Sequence, residues 1–290
     1  MPSSSILGVD VGGTKIAIGR YDATTLTEEE FTIIHTPASE GFSRVFEDVI
    51  ALIEKMKRPE TKAVGLGFPG LIDQSKGMLL RAPNIPGSEH FPLRAALQKR
   101  CSLPTRIEND ANCFALAEAT MGPGKGHAVC IGITLGTGVG GGIVIDGKIV
   151  HGARGYAGEI GHMLLMPGKP PYRIADARGD VEQFLSGTAM GKRCAEAKRP
   201  EDYLKGEVCG FLRPDVFREI AWMCTTLSHL LDPSIIIFGG STGKALKPHL
   251  PSITKELETW LLPGTPAPLL AISTVKNAGA VGAAIVAFNK

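Results

Sequence analysis

The sequence predicts a mixed α/β protein built from two similar lobes. Short, apolar, strand-like runs alternate with amphipathic helical stretches along the 290 residues, which points to mixed sheets with functional groups gathered at strand ends. Each half opens on a meander around a glycine- and threonine-rich turn, "GGTK" and later "LGTGVGGG", roughly 120 residues apart and too far for a short-period repeat. Glycine and proline also cluster in "GPGKG" (122–126), so a lobe boundary is placed there or in the preceding "NCFALAEATM". The expected division is 1–115, joined by a C-terminal helix of about 277–290, and 116–276, with the site in a cleft between the lobes.

In chain order, "ILGVDVGGTKIAIGRYD" (6–22) supplies two β-prone runs around the first turn, and "FTIIHTP" (31–37) supplies a third. "RVFEDVIALIEKMKR" (44–58) repeats Val45, Val49, Leu52 and Ile53 at near-helical spacing. "AVGLGFPG" (63–70) and "PTRIEND" (104–110) read as short strands ending in glycine or polar residues. The second half restarts with "HAVCIGITLGTGVGGGIVIDGKIVHG" (127–152), a meander with an Asp146-Gly147 turn. Helical patterns in "VEQFLSGTAMGKRCAEA" and "PDVFREIAWMCTTLSHLL" follow, then the strands "SIIIFGG" (234–240) and "PLLAIST" (268–274). The chain closes on a small-residue helix, "AGAVGAAIVAFNK".

Composition narrows the function. Lysine and arginine number 31 against 29 acidic residues, a formal charge of +2. That balance gives no basis for a nucleic-acid or membrane-surface partner. The start has no basic segment followed by an apolar one, and no window approaches the roughly 18 uninterrupted apolar residues of a membrane span. The six cysteines, at 101, 113, 130, 194, 209 and 224, form no CxxC pair. Cys113 and Cys130 sit among apolar neighbours as small core residues. A reducing cytoplasm is the expected location.

Several motifs carry chemistry, each with a plainer alternative. "VDVGGTK" sets Asp10, Gly12, Gly13, Thr14 and Lys15 at a tight turn, either an anion-binding loop or a plain hairpin. "LGTGVGGG" contains GxGxxG at Gly136, Gly138 and Gly141, but a hairpin, "IVIDGKIV", follows where a dinucleotide site needs a helix. No GxxxxGK[ST] phosphate loop is present. Asp110, in "IENDANC", ends a strand and precedes a helix, so its plainest role is helix N-cap; Asn109 and Asp110 could instead face a polyol, with Asp110 taking a hydroxyl proton. "FGG" (238–240) is either a strand-end turn or a flat surface against an adenosine.

Together, "LGVDVGGTK", "GLGFPGLID", "APNIPG", "ENDANCFALAEA", "ITLGTGVGGG", "GEIGH" and "IIIFGG" resemble the ROK family of sugar kinases and sugar-responsive repressors, almost end to end. The resemblance implies the two-lobed, actin-like (ribonuclease H-like) ATPase fold, with sugar and ATP meeting in the cleft, and a homodimer. It makes Asp110 the catalytic base. Gly70, Asn84, Asn109, Glu159, His162 and Glu182 would line the sugar. Gly8 to Lys15, and Thr134 with Gly136, Thr137, Gly138 and Gly140, would form the phosphate loops. Asp10 would lie near Mg²⁺, directly or through water, and Gly239 and Gly240 near the adenosine. A ring of Asn, Glu and His suits a polyhydroxylated ligand, since each unpaired buried polar group costs about 1–3 kcal/mol.

One departure stands out. ROK members resembling this chain pair the histidine of "GEIGH" with three downstream cysteines around a structural zinc. Aligned on "GDVEQFLSG", those positions fall here on Arg173, Ala175 and Asp180, which with His162 leave two ligands where a closed site takes four. No structural zinc is expected. The loop "MPGKPPYRIADARGD" must then be held by proline stiffness, packing, or ion pairs from Arg173 or Arg178 to Asp176 or Asp180, and is expected to be among the more mobile parts.

The leading reading is an ATP-dependent hexokinase of the glucokinase type acting on the 6-hydroxyl. Kinases of N-acetylglucosamine, N-acetylmannosamine, fructose or mannose are alternatives within the class. A sugar-responsive repressor or a non-catalytic sensor is the alternative outside it. A repressor needs a helix-turn-helix ahead of a first strand that starts by Ile6, and a dead sensor should have lost Asp110 or the loops. A polyphosphate donor in place of ATP needs an extended basic groove, and the lysines are scattered.

Overall fold

In the computed structural model, described for residues 4–197, 200–204 and 208–288, the chain forms two compact units. The first comprises Met1–Ala117, His151–Ala157 and Val275–Lys290, and the second Glu118–Val150 and Gly158–Thr274.

The first unit is built on a five-stranded sheet. Strands β1 (Ser5–Val11), β2 (Lys15–Asp22) and β3 (Glu28–His35) form the antiparallel meander. Helix α1 (Phe42–Met56) then crosses to β4 (Thr61–Phe68), parallel to β1. A ribbon of β5 (Leu71–Asp73) and β6 (Met78–Arg81) and helix α2 (Leu93–Cys101) lead to β7 (Thr105–Asn109), parallel to β4. The order is β3-β2-β1-β4-β7. Helix α3 (Asp110–Met121) starts directly from the end of β7.

The second unit has the same kind of sheet. Strands β8 (Val129–Leu135), β9 (Val139–Ile145) and β10 (Lys148–Ile149) form its meander. At the β9–β10 turn both Asp146 (φ 50°) and Gly147 (φ 72°) adopt the left-handed conformation that this two-residue hairpin demands. The expected helical stretch after residue 180 is two short helices, α4 (Val181–Leu185) and α5 (Gly187–Arg193), because Ser186 is extended and caps α5 through Ala189 N–H. Helix α6 (Arg213–Leu231) leads to β11 (Ile235–Gly239), whose end is seized at once by α7 (Gly240–Ala245). Helix α8 (Leu250–Glu258) and β12 (Leu269–Ile272) follow. The order β10-β9-β8-β11-β12 reproduces that of the first sheet.

The closing helix, α9 (Ala278–Phe288), belongs to the first unit; the last two residues of the expected helix lie outside the described residues. Its small side chains let backbone meet backbone. A Cβ on Gly8 of β1 would strike the Ala280 carbonyl, one on Gly65 of β4 the Ala283 carbonyl, and one on Gly282 of α9 itself the Cys113 carbonyl. Burial is not confined to helices: Leu7, Val9, Ile18, Val64 and Leu66 are fully enclosed in one core, and Ile131, Ile133, Ile236 and Phe238 in the other. Cys113 and Cys130 are buried in the manner expected of core residues. Cys194 and Cys209 are joined in a disulfide with Cα atoms 6.1 Å apart, a pairing that no spacing motif signals. No described helix is long and apolar enough to cross a membrane.

Gly65→Ala should destabilise the protein by about 1–3 kcal/mol through forced displacement of α9. Gly13→Ala, where a Cβ meets nothing within 4 Å, should stay within about 0.5 kcal/mol of wild type. Denaturant unfolding monitored by circular dichroism compares the two.

Candidate active site

In the first unit the polar residues collect at the ends of β1 and β7. Asn109 ends β7, and its Oδ1 accepts from Ala111 N–H (2.9 Å) and Asn112 N–H (3.1 Å). That is the geometry of a helix N-cap, so the capping role open to Asp110 in the sequence is taken by its neighbour. Asp110 instead occupies the first position of α3, with Oδ1 accepting from Ala111 N–H at 3.0 Å. The Asn109 amide donates to the Gly70 carbonyl at 3.1 Å, leaving its second hydrogen available. Gly70 has φ 103°, and a Cβ there would strike the Arg81 carbonyl, so only glycine fits. Asn84 is exposed on the loop after β6.

Asp10 is the penultimate residue of β1. Its carboxyl is pushed up to about 7, by burial first and then by the negative charge of Asp110, with Lys15 opposing. Gly279, in the first turn of α9, leaves the room this carboxyl occupies. Gly12, Gly13 and Thr14 form the β1–β2 turn, closed by Gly12 N–H to the Lys15 carbonyl at 2.8 Å and braced by Thr36, whose hydroxyl donates to the Gly12 carbonyl at 2.7 Å. Gly13, Thr14 and Lys15 are exposed. Gly8 is different: it lies inside β1 with its bare Cα against α9, a packing position rather than a loop position.

The second unit gathers Glu159, His162 and Glu182. Burial raises the Glu159 carboxyl, with His162 lowering it and Glu182 raising it. Glu182, on α4, accepts from Val139 N–H at 2.9 Å, and a Cβ on Gly138 would approach the same carboxylate at 2.6 Å. Glu182 therefore braces the turn that carries Gly136, Thr137 and Gly138. The start of α5 holds the turn from the other side, with Gly187 N–H to the Gly136 carbonyl at 2.7 Å and the Thr188 hydroxyl to the Thr137 carbonyl at 2.9 Å. Thr134 pairs with Gly140 on β9 and Gly239 on β11. Gly240 begins α7 at φ 76°, where a Cβ would strike the Leu135 carbonyl.

His162 is exposed, and its Nδ1 contacts Asp180 at 3.3 Å. Asp180 also caps α4 through Gln183 N–H at 3.1 Å. Among the described residues no group of three or more His, Cys, Asp or Glu side chains is placed to hold a metal ion, and Arg173 and Ala175 are exposed; this donor set does not fit zinc. The loop before α4 is fastened by other means. Leu165 and Met166 N–H both donate to the Gly179 carbonyl (2.8 and 3.0 Å), Arg178 pairs with Asp176 at 2.8 Å, and Lys192 lies 4.8 Å above the Tyr172 ring. Gln183, which nothing in the sequence singles out, accepts from Gly179 N–H at 2.7 Å and donates to the Asp176 carbonyl.

A profile of the ROK family matches residues 6–290. A glucokinase of Streptomyces coelicolor is 33% identical over 97% of this chain and 96% of its own length. An N-acetyl-D-glucosamine kinase of Vibrio cholerae is 31% identical over 86% and 91%. The solved ROK family glucokinase from Streptomyces griseus, in complex with glucose and AMPPNP, is 33% identical with a TM-score of 0.80, covering 98% of this chain and 99% of that one. Fold and similarity together define a phosphotransferase of the hexokinase type. The chain belongs to the ROK family.

The structure adds a pair that sequence reasoning did not connect, Glu108 and His151. Glu108 is 3% exposed and His151 meets it at 2.7 Å. The hydrogen bond to Glu108 raises the imidazole above its ordinary 6.5, with burial opposing. A raised histidine contributes stability in full below about pH 6.5 and loses it as pH rises through the folded-state value. The stability advantage of wild type over His151→Gln should therefore be about 0.5–1 kcal/mol at acid pH, discounted for partial exposure, and shrink toward alkaline pH. Melting curves of both proteins across that range measure it.

Proposed function

We propose that this protein transfers the γ-phosphoryl group of ATP to the 6-hydroxyl of a hexose, with glucose as the first substrate to test. The observation that carries the reading is the placement of Asp110, held at the start of α3 by a capped helix terminus and electrostatically coupled to Asp10. Phosphoryl transfer through a loose transition state needs positioning and charge neutralisation more than covalent chemistry. Asp110 orients and deprotonates the attacking hydroxyl. Asn109 offers its remaining amide hydrogen, and Gly70, Asn84, Glu159, His162 and Glu182 complete the set of sugar contacts.

The turns at Gly12 to Lys15 and at Gly136 to Gly140 supply exposed backbone and hydroxyl groups suited to phosphates, and Gly239 and Gly240 a flat backbone surface for the adenosine. The Asp10 carboxyl fits a Mg²⁺ ion: burial and a second carboxylate make it costly to ionise with Lys15 alone as counter-charge, and a dication relieves that cost. Bound Mg²⁺ would neutralise charge on the phosphates. His162 serves the sugar rather than a metal, and the purified protein should contain no stoichiometric zinc by elemental analysis; one zinc per chain would overturn that assignment.

The N-acetylhexosamine alternative is favoured by the similarity to the Vibrio cholerae kinase. Coupled ATP-consumption assays over glucose, mannose, fructose, N-acetylglucosamine and N-acetylmannosamine decide it, activity confined to an acetamido sugar displacing glucose. Asp110→Asn should lower kcat by about 10²–10⁴-fold while calorimetry still detects sugar binding. Full turnover in that variant would overturn the mechanism.

A further inference from the structure

The segment His151–Ala157 belongs to the first unit, although Val150 before it and Gly158 after it belong to the second. Two contacts hold it there. Gly155, at φ 85°, lies close enough to the Ile72 carbonyl that a Cβ would come within 2.6 Å, and His151 Nε2 meets Glu108 Oε2 at 2.7 Å. The loop is closed on itself by Ala157 N–H to the His151 carbonyl at 3.2 Å.

Glu108 stands immediately before the two residues that the proposed reaction depends on. Its oxygens are divided: Oε1 accepts from Asn109 N–H (2.8 Å) and Asn112 Nδ2 (3.0 Å), and Oε2 is met by His151. Oε1 thus grips the backbone of Asn109 and a side chain in the first turn of α3, while the other oxygen depends on His151. Without that partner a carboxylate 3% exposed would keep a buried charge with one oxygen unanswered. Such a group rotates to find another donor, and that rotation loosens its grip on Asn109. Stability alone does not account for the pair, because an ion pair with one partner 39% exposed contributes little to stability.

We propose that His151 is a positioning residue for phosphoryl transfer: by holding Glu108 it fixes Asn109 and Asp110 at the end of β7. The proposal rests on the kinase reading above. Asp110 itself touches the substrate in that reading, whereas His151 acts through Glu108.

Steady-state kinetics of the full chain test it, with Asp110→Asn run in parallel to check the underlying reading. His151→Ala should lower kcat about 10- to 100-fold, as small misplacements of reacting groups do. It should also raise KM for the sugar and leave KM for ATP within about twofold, because the phosphate turns lie on other elements. His151→Gln, whose amide can reach Glu108, should recover most of kcat; His151→Asn, one methylene shorter, should not. A folded His151→Ala with wild-type kcat and sugar KM, alongside an inactive Asp110→Asn, would overturn the proposal and leave the kinase reading standing. If His151→Ala fails to fold, equal kcat for the Gln and Asn variants overturns it. Full activity of Asp110→Asn would instead remove the reading beneath it.

Discussion

The first unit depends on the closeness with which α9 lies on the paired strands β1 and β4. Gly8 and Gly65 are register partners on those strands, and at both the helix backbone occupies the space a side chain would take. Close packing of this kind gains dispersion contacts that a looser interface forfeits. It also sets positions beyond the contact. Gly282 brings the same helix against the Cys113 carbonyl of α3, and Gly279 opens the space for Asp10. Helix α9 thus references the strand that carries Asp10 to the helix that starts with Asp110. The two carboxylates stay near enough to raise the proton affinity of Asp10.

The second unit repeats the strand order but stabilises itself differently. Its core is filled by large side chains, among them Phe184, Met190, Ile220, Met223, Phe238 and Leu246. Arg193 and Glu219 form a two-point ion pair inside it, at 2.6 and 2.9 Å, a geometry in which a buried charge pair is satisfied by direct hydrogen bonds. The glycine turn after β8 has few side chains of its own, so it borrows order from Glu182 and from the first residues of α5. The loop before α4 borrows from Gln183. With a donor and an acceptor at one tip, Gln183 ties Asp176 and Gly179, both on the limb of the loop that runs into α4, to the helix itself.

Legibility in the sequence followed the range of each interaction. The hairpin at Asp146-Gly147, the meanders and helix α1 rest on contacts between near neighbours, and their signals are local. Asp110 was legible as a polar residue at a strand-to-helix junction, but the junction alone could not say whether it or Asn109 would cap, since both residue types serve. The carbonyl of Gly70 decides, by holding the Asn109 amide so that its oxygen faces the helix. Long-range pairs left no trace in spacing. His151 and Glu108 are 43 residues apart, and Cys194 and Cys209 are separated by 15 with no motif between them. Gly8 was read with the phosphate turn because it lies beside it in sequence. Only α9, from the far end of the chain, shows that its missing side chain serves packing.

Within each unit the acidic groups are compensated in different ways, and the differences assign them different work. Glu108 has its partners inside the protein, two donors on one oxygen and an imidazole on the other, so it is a fixed charge that holds others in place. Glu182 likewise has a backbone donor at Val139. Asp10 is offset only in part by Lys15, and burial together with Asp110 leaves it reluctant to ionise. Glu159 is raised by burial with only His162 opposing. Carboxyls that are enclosed but incompletely answered by their own protein gain most from a ligand, and Asp10 in the first unit and Glu159 in the second are both of that kind.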